Sequence, residues 1–290
     1  MPLILIQYNV HTVLLDGTKV GGVQTVNVTK SFDSTSIVGK GNPTNVKNFY
    51  KKPSLNISFT KFISDDYSSA LSGFDIRDSI YVTPPETHEI KIGVVGGGGY
   101  KFVDTVFAGV TYTFTNQGFF TEELNYIGHV SEAIASISAP AVQDGDVKRR
   151  QDFDKNVARP AELTSSTLIS VQASLNINYG EVPSYGRFYT ARNKYITYPV
   201  DISCAYEILD REYSQSRVDY SAESIGGVNY NLINDQVTNR TISIGGVPTI
   251  DLGSKNFLAN IERNGGDAGN SDYSILKFTY KNNDNSFTVS

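Results

Sequence analysis

The residues of this chain whose chemistry could serve a reaction or a metal are three histidines, one cysteine and a few carboxylate pairs. His11, His88 and His129 lie far apart, and none has a second histidine or a cysteine at metal-ligand spacing, so no zinc-type site can be drawn from them. Cys204 has no partner for an internal disulfide, and its place in an alternating apolar run marks it as a small buried side chain rather than a nucleophile. The run Gly96-Gly97-Gly98-Gly99-Tyr100-Lys101 invites comparison with a phosphate loop. It lacks the Gly-Lys-Ser/Thr ending and a following helix, which leaves a hairpin tip. Asp144-Gly145-Asp146 and the stretch from Gly265 to Asp272 offer oxygen ligands without a full calcium loop, and both read as turns. Asp65-Asp66 and Glu122-Glu123 are adjacent pairs. Neighbours in a strand point to opposite faces, so Glu122 and Glu123 cannot act on one substrate and read as surface charge. No nucleophile elbow or triad completes a site, so no catalytic, cofactor or metal residues are assigned.

The elements that would have to position any site are almost all strands. Tyrosine (18), phenylalanine (15) and glycine (25) are abundant and tryptophan is absent, a composition suited to β-structure rich in turns. Short strand signals recur in the same order along the chain. Val23–Val28 answers to Val171–Ile177, Leu55–Phe59 to Val200–Cys204, and Glu89–Gly93 to Thr241–Gly245. Phe107–Val110 answers to Leu258–Ile261, and Leu124–Tyr126 to Phe278–Tyr280. An ordered series of this kind predicts an internal repeat. The expected fold is mainly β: two tandem homologous β-sandwich or half-barrel domains, each with a long loop and a short helix. Residues 1–137 form the first, 138–163 a linker marked by Pro140, Pro160 and a block of charges, and 164–290 the second.

Within the first copy, Asp16-Gly17 predicts a tight turn, the glycine run joins a hairpin over Ile90–Val106, and Asn116-Gln117-Gly118 turns a second hairpin over Val110–Ile127. Asp65–Ile80 is the best helix, although Gly73 interrupts it. Ser31–Tyr50 and Gly180–Tyr195 read as long loops at matched positions. Loops of that length in a compact domain are held by something outside it, and aromatic and arginine residues favour subunit contact. The contact candidates are Phe32, Lys40, Lys47, Phe49 and Tyr50 in the first loop, with Tyr185, Arg187, Phe188, Tyr189, Arg192 and Tyr195 in the second.

The net charge of −5 and pI near 5.3 argue against a protein that grips nucleic acid, which needs clustered basic residues. The N-terminal residues lack a basic leader and a cleavage site, and no apolar run approaches the ~20 residues that cross a bilayer. Synthesis in a cytoplasm, without membrane contact, is the expectation.

Gly118-Phe119-Phe120-Thr121-Glu122-Glu123-Leu124-Asn125-Tyr126-Ile127-Gly128, preceded by Gly109-Val110-Thr111-Tyr112-Thr113-Phe114, resembles the last hairpin of bacteriophage tail tube proteins. The order strand, long loop, strand, helix, hairpins is similar to that family as well. In the second copy, Asp272–Lys277 departs from the Phe-Thr-Glu pattern and the closing glycine is absent. The resemblance implies β-rich rings, here trimers with six quasi-equivalent domains, that stack into a tube through their long loops. It implies a virion protein made in the host cytoplasm, through whose channel DNA passes without specific binding. Partners would be further copies of the chain and other tail proteins: sheath, tape measure, baseplate or terminator. A baseplate hub or tube-initiating ring of the same lineage is the nearest alternative. From another class, a tandem carbohydrate-binding module would use exposed tyrosines to stack on sugars, though without tryptophan.

Overall fold

In a computed structural model, the described residues are 11–32, 34–38, 45–50, 53–63, 69–80, 84–116, 118–138, 160, 163, 167–182, 194–210, 223–225, 228–230, 239–245, 248–264 and 274–290. Along the chain, β1 (His11–Leu15) and β2 (Thr18–Lys19) flank the Asp16-Gly17 turn, where both residues have positive φ (50° and 82°). β3 (Val23–Ser31), β4 (Ser34–Val38), β5 (Asn45–Tyr50) and β6 (Ser54–Phe62) follow, then β7 (Phe74–Asp75) and the short helix α1 (Ile76–Ile80). β8 (His88–Val94), β9 (Gly99–Thr115), β10 (Thr121–Gly128) and β11 (Val130–Ile134) complete the first half. The second half holds β12 (Thr167–Glu181), β13 (Lys194–Asp210), β14 (Glu223–Ile225), β15 (Val228–Tyr230), β16 (Ser243–Ile244) and β17 (Ile250–Asp251). β18 (Asn256–Asn264), β19 (Ser274–Asn282) and β20 (Thr288–Val289) end the chain.

The fold is mainly β, built on one large antiparallel sheet in the order β18-β19-β13-β12-β9-β10-β6-β3. Strands from both halves share this sheet, joined where β9 pairs with β12 from Thr115–Ser170 to Gly109–Asn176. Each half contributes a four-strand block with the same internal arrangement: β3-β6-β10-β9 and β12-β13-β19-β18. The ladders agree residue by residue. Val26–Phe59 and Val28–Ile57, with Gln24 skipped, match Val171–Tyr206 and Ala173–Cys204, with Ile169 skipped. Leu124–Val110 and Tyr126–Phe107, with Ala108 skipped, match Phe278–Ile261 and Tyr280–Leu258, with Ala259 skipped. Phe59–Leu124 matches Tyr206–Phe278 between them.

The sheet has one apolar face, because strand side chains alternate and these strands alternate cleanly. Leu55, Ile57 and Phe59, Leu124 and Tyr126, Val171, Ala173 and Leu175, and Ile202, Cys204 and Tyr206 are all 1% exposed or less. Over the first block lies a second layer, β2-β1-β8-β9-β11. β9 serves both layers: Gly99–Val103 pairs with β11, and Val106–Thr113 with β10. It turns between them at Asp104, whose φ is 55°. A small sheet, β16-β17-β20-β7, covers the remainder and links the halves, since β7 belongs to the first and β20 to the second. Phe287, just before β20, stacks on Tyr112 at 6.5 Å between centroids.

Several expectations are corrected. The strands expected at Tyr100–Val106 and Val110–Phe114 are one continuous β9. Ser31–Tyr50, read as a loop, carries the β4·β5 hairpin, and the Gly180–Tyr195 stretch begins and ends in paired strand, with Gly180–Tyr195 and Glu181–Lys194 in register. Polar residues satisfied by a backbone ladder do not need an apolar pattern, which is why alternation failed to flag them. Of the expected helix over Asp65–Ile80, only Ile76–Ile80 is helical among the described residues. Gly73, at φ +83°, and β7 occupy the turn before it. The glycine run is indeed a hairpin tip: a Cβ on Gly99 would lie 2.4 Å from the Ile92 carbonyl oxygen.

At the join between halves, a Cβ on Gly109 would lie 2.4 Å from the Leu175 carbonyl oxygen. Gly109→Val is expected to cost about 1–3 kcal/mol through the forced separation of β9 and β12, read as a lower urea midpoint with an unchanged slope.

Candidate functional site

Two features of the main sheet are available to partners: its second face and its two ends. Outward-facing positions are mostly polar, with Phe62, Ala205, Phe257 and Ile275 as apolar exceptions. The polar ones run from Asn27 and Thr29 through Asn56, Ser58 and Thr60, Glu123 and Asn125, and Thr111, Thr113 and Thr115. The row continues with Ser170, Gln172, Ser174 and Asn176, Asp201, Ser203 and Glu207, Lys277, Thr279 and Lys281, and Asn260 and Glu262. Many of these side chains satisfy one another. Ser170 donates to Glu207 (2.6 Å), Ser174 and Ser203 are bonded at 2.8 Å, and Asn260 donates to Glu262 (2.8 Å). The charges lie near opposites: Lys277 is in register with Glu207 and Glu262 on its two sides, and Lys281 is 3.4 Å from Asp201. Such a face is polar and carries more carboxylates (Glu123, Asp201, Glu207, Glu262) than ammonium groups (Lys277, Lys281).

The ends of the sheet are β3 and β18. Among the described residues, no strand pairs with the outer side of β3, and on β18 only Asn256 is bridged, by Arg240. Unpaired edges are templates for another strand. Burial records the missing neighbour: Val171, Ala173 and Leu175 on β12 are fully buried, whereas Val26 is half-buried and Val28 is 43% exposed at the matching β3 positions.

Beneath the sheet the sequence reading of Glu122 is overturned. Glu122 is fully buried, because its strand alternates Glu122, Leu124, Tyr126 toward the core while Glu123 faces outward. Its Oε1 accepts from Ser69 Oγ (2.6 Å) and Tyr112 OH (2.7 Å), its Oε2 accepts from the Ala70 backbone (3.0 Å), and Lys61 Nζ lies 3.6 Å away. Burial pulls the Lys61 ammonium below the usual lysine range, partly opposed by Glu122. Burial, and then the Glu122 charge, push the Tyr112 hydroxyl up, so it remains a donor. Two of these bonds hold Ser69-Ala70, the segment that leads into β7, while Tyr112 and Lys61 tie the same carboxylate to β9 and β6. Extending the alternation of β6 and β10 by one step would have placed Lys61 and Glu122 inward from sequence. Cys204 is fully buried and its thiol is pushed up to about 12 by burial.

The described contact candidates lie just after β3, on the β4·β5 hairpin that follows it, and at the start of β13. Phe32 is 57% exposed with Lys30 Nζ 5.5 Å above its ring, and Lys47, Phe49 and Tyr50 stand on β5 opposite Ile37, Thr35 and Ser34. Tyr195 is 45% exposed and lies across Gly180. Lys40, Tyr185, Arg187, Phe188, Tyr189 and Arg192 lie outside the described residues, as do Asp65, Asp66, Asp144–Asp146 and most of the 138–163 linker. His11, His88 and His129 are on separate elements. His88 Nδ1 is 2.7 Å from Asp16, and His129 Nδ1 is 2.6 Å from the Pro53 carbonyl. Among the described residues no three His, Cys, Asp or Glu side chains cluster as metal ligands, and no helix is long and apolar enough to cross a membrane. Compared with models of known protein families and with curated proteins, the sequence matches none.

Removing one member of the buried pair strands the other. Glu122→Leu should destabilise by about 3–5 kcal/mol, and adding Lys61→Ile should recover part of that loss, measured by urea denaturation. The pH sign follows from the lowered Lys61 pKa. Below the ordinary lysine value of 10.5 the unfolded chain holds the proton more firmly, so stability should rise with pH toward that value relative to Lys61→Met, which lacks the group.

Proposed function

We propose that this chain is a ring-forming structural protein of the phage tail tube kind, its copies joined edge to edge through β18 of one and β3 of the next. The two blocks are read as copies of one repeated unit, on the strength of their shared strand order, register and skipped residues. The observation that carries the reading is the β9·β12 seam. β18 holds in its block the place that β9 holds in the first, and β3 the place of β12. The seam inside each chain is therefore a built example of the seam between chains. Such a contact is head-to-tail, and repetition of one rotation closes a ring.

Transferring the ladder sets Asn27 against Asn264, Val28 against Arg263, Thr29 against Glu262 and Lys30 against Ile261. The transfer ends there, because Asn260 stands where Gly109 permits the closest approach. Three chains supply six blocks, the ring size that the family resemblance implies. The apolar face is already covered within each chain, so the polar, net acidic face lines the channel. Phosphates find no basic cluster there to bind, which suits passage of DNA without adhesion. The β4·β5 hairpin and the start of β13 carry contact between successive rings. Sheath, tape measure, baseplate or terminator proteins are the further partners this role brings, and the virion is its place.

Concentrated protein should form rings or hollow tubes under negative-stain electron microscopy, and a monomer that persists in sedimentation at every concentration would defeat the proposal. Thr29→Cys with Glu262→Cys should give intermolecular disulfides on oxidation, since directly opposed residues of an antiparallel pair lie about 4.5–5.5 Å apart. A Thr29→Cys with Lys255→Cys pair, off the transferred register, should not.

A further inference from the structure

The two strands that share a structural place in their blocks differ most sharply at one position. Leu175 of β12 pairs with Ile202, faces the core and is fully buried. Its counterpart on β3 is Lys30, which pairs with Leu55 and so points to the same side. Val26 and Val28 keep the apolar character of Val171 and Ala173, and the charge enters only at the third inward position. Lys30 reaches across the mouth between the two layers, where Nζ donates to Ser131 Oγ on β11 (3.0 Å) and lies over the Phe32 ring (5.5 Å). It remains exposed in the isolated chain.

We propose that Lys30 is the assembly gate of the β3 edge: an inward-pointing charge that penalises pairing with any strand unless its contacts to Ser131 and Phe32 are kept. The inference rests on the edge-to-edge reading above. An inward charge on an edge strand opposes casual pairing, because a strand laid against it covers the ammonium and removes its water. The transferred ladder puts Ile261 directly opposite Lys30, so the correct neighbour brings no carboxylate to that position. The ammonium must keep its Ser131 and Phe32 contacts as the seam forms. A strand that closes over the edge while those contacts are broken buries the charge with nothing to hold it. The β12 edge never meets this hazard, since β9 of the same chain covers it during folding, and there the position is leucine.

The test compares Lys30→Leu, which restores the β12 residue, with Lys30→Arg, which keeps the charge, both in the Thr29→Cys/Glu262→Cys background. Light scattering gives the concentration at which assembly begins, and non-reducing electrophoresis gives the 29–262 disulfide. Lys30→Leu is expected to assemble at a concentration at least tenfold lower than Lys30→Arg, with a growing share of off-register aggregate that lacks the disulfide. Equal onset concentrations for the two variants, including no assembly by either, would overturn the gate, while a 29–262 disulfide in Lys30→Arg would leave the seam standing. Absence of that disulfide in every variant would remove the seam and the gate together.

Discussion

A β-sheet satisfies its backbone sideways, strand to strand, so an open sheet always has two rows of donors and acceptors with nowhere internal to go. In this chain those rows belong to β3 and β18, at opposite ends of a sheet that spans both halves of the sequence. The rest of the architecture follows from leaving them open. One face is buried under a second layer and a small linking sheet, which fixes the curvature. The other face is left to water, and its serines, threonines and asparagines bond to one another or to solvent. β12 shows what a covered edge looks like, with its valine, alanine and leucine fully enclosed, and β3 shows the matching strand uncovered among the described residues.

The blocks share a framework but not a core. Where the first places Lys61, Glu122 and Tyr112, the second has Ile208, Leu276 and Arg263 at the same ladder positions. The polar set holds Ser69-Ala70, and through it β7, against which the C-terminal β20 is laid. Ile208 and Leu276 are buried and apolar, so those two positions of the second block carry no charge that needs a partner. A buried ion pair contributes little net stability beside well-packed apolar residues. What it supplies here is position: hydrogen bonds from Ser69 and the Ala70 backbone to one carboxylate fix the segment that leads into the linking sheet.

The mainly β character, the turn at Asp16-Gly17, the glycine hairpin tip and the buried Cys204 were all legible in the sequence, because each depends on local pattern. The two later strand matches, Phe107–Val110 with Leu258–Ile261 and Leu124–Tyr126 with Phe278–Tyr280, coincide with the ladder. The two earlier ones slip: the ladder sets Val171 beside Val26, not Val23, and Tyr206 beside Phe59 where the sequence offered Cys204. Alternation repeats every two residues, so a strand can slide by a pair without changing its pattern, and skipped residues such as Gln24 and Ile169 are invisible to it. Glu122 and Lys61 were missed for a related reason. Charge suggested surface, whereas the parity of the strand had already assigned them inward. The β9·β12 join was beyond reach, since nothing local says which distant strand an edge will meet.

In a perimeter closed through β18 and β3 as proposed, the tether between β9 and β12 would make every second seam before any two molecules meet. Such a perimeter can gain or lose circumference only in steps of a whole chain. For six blocks that step is a third of the circle, too large for bending to absorb. Covalent pairing of adjacent wedges is thus a counting device: it turns small errors of angle, which a single-wedge subunit would tolerate, into failures to close.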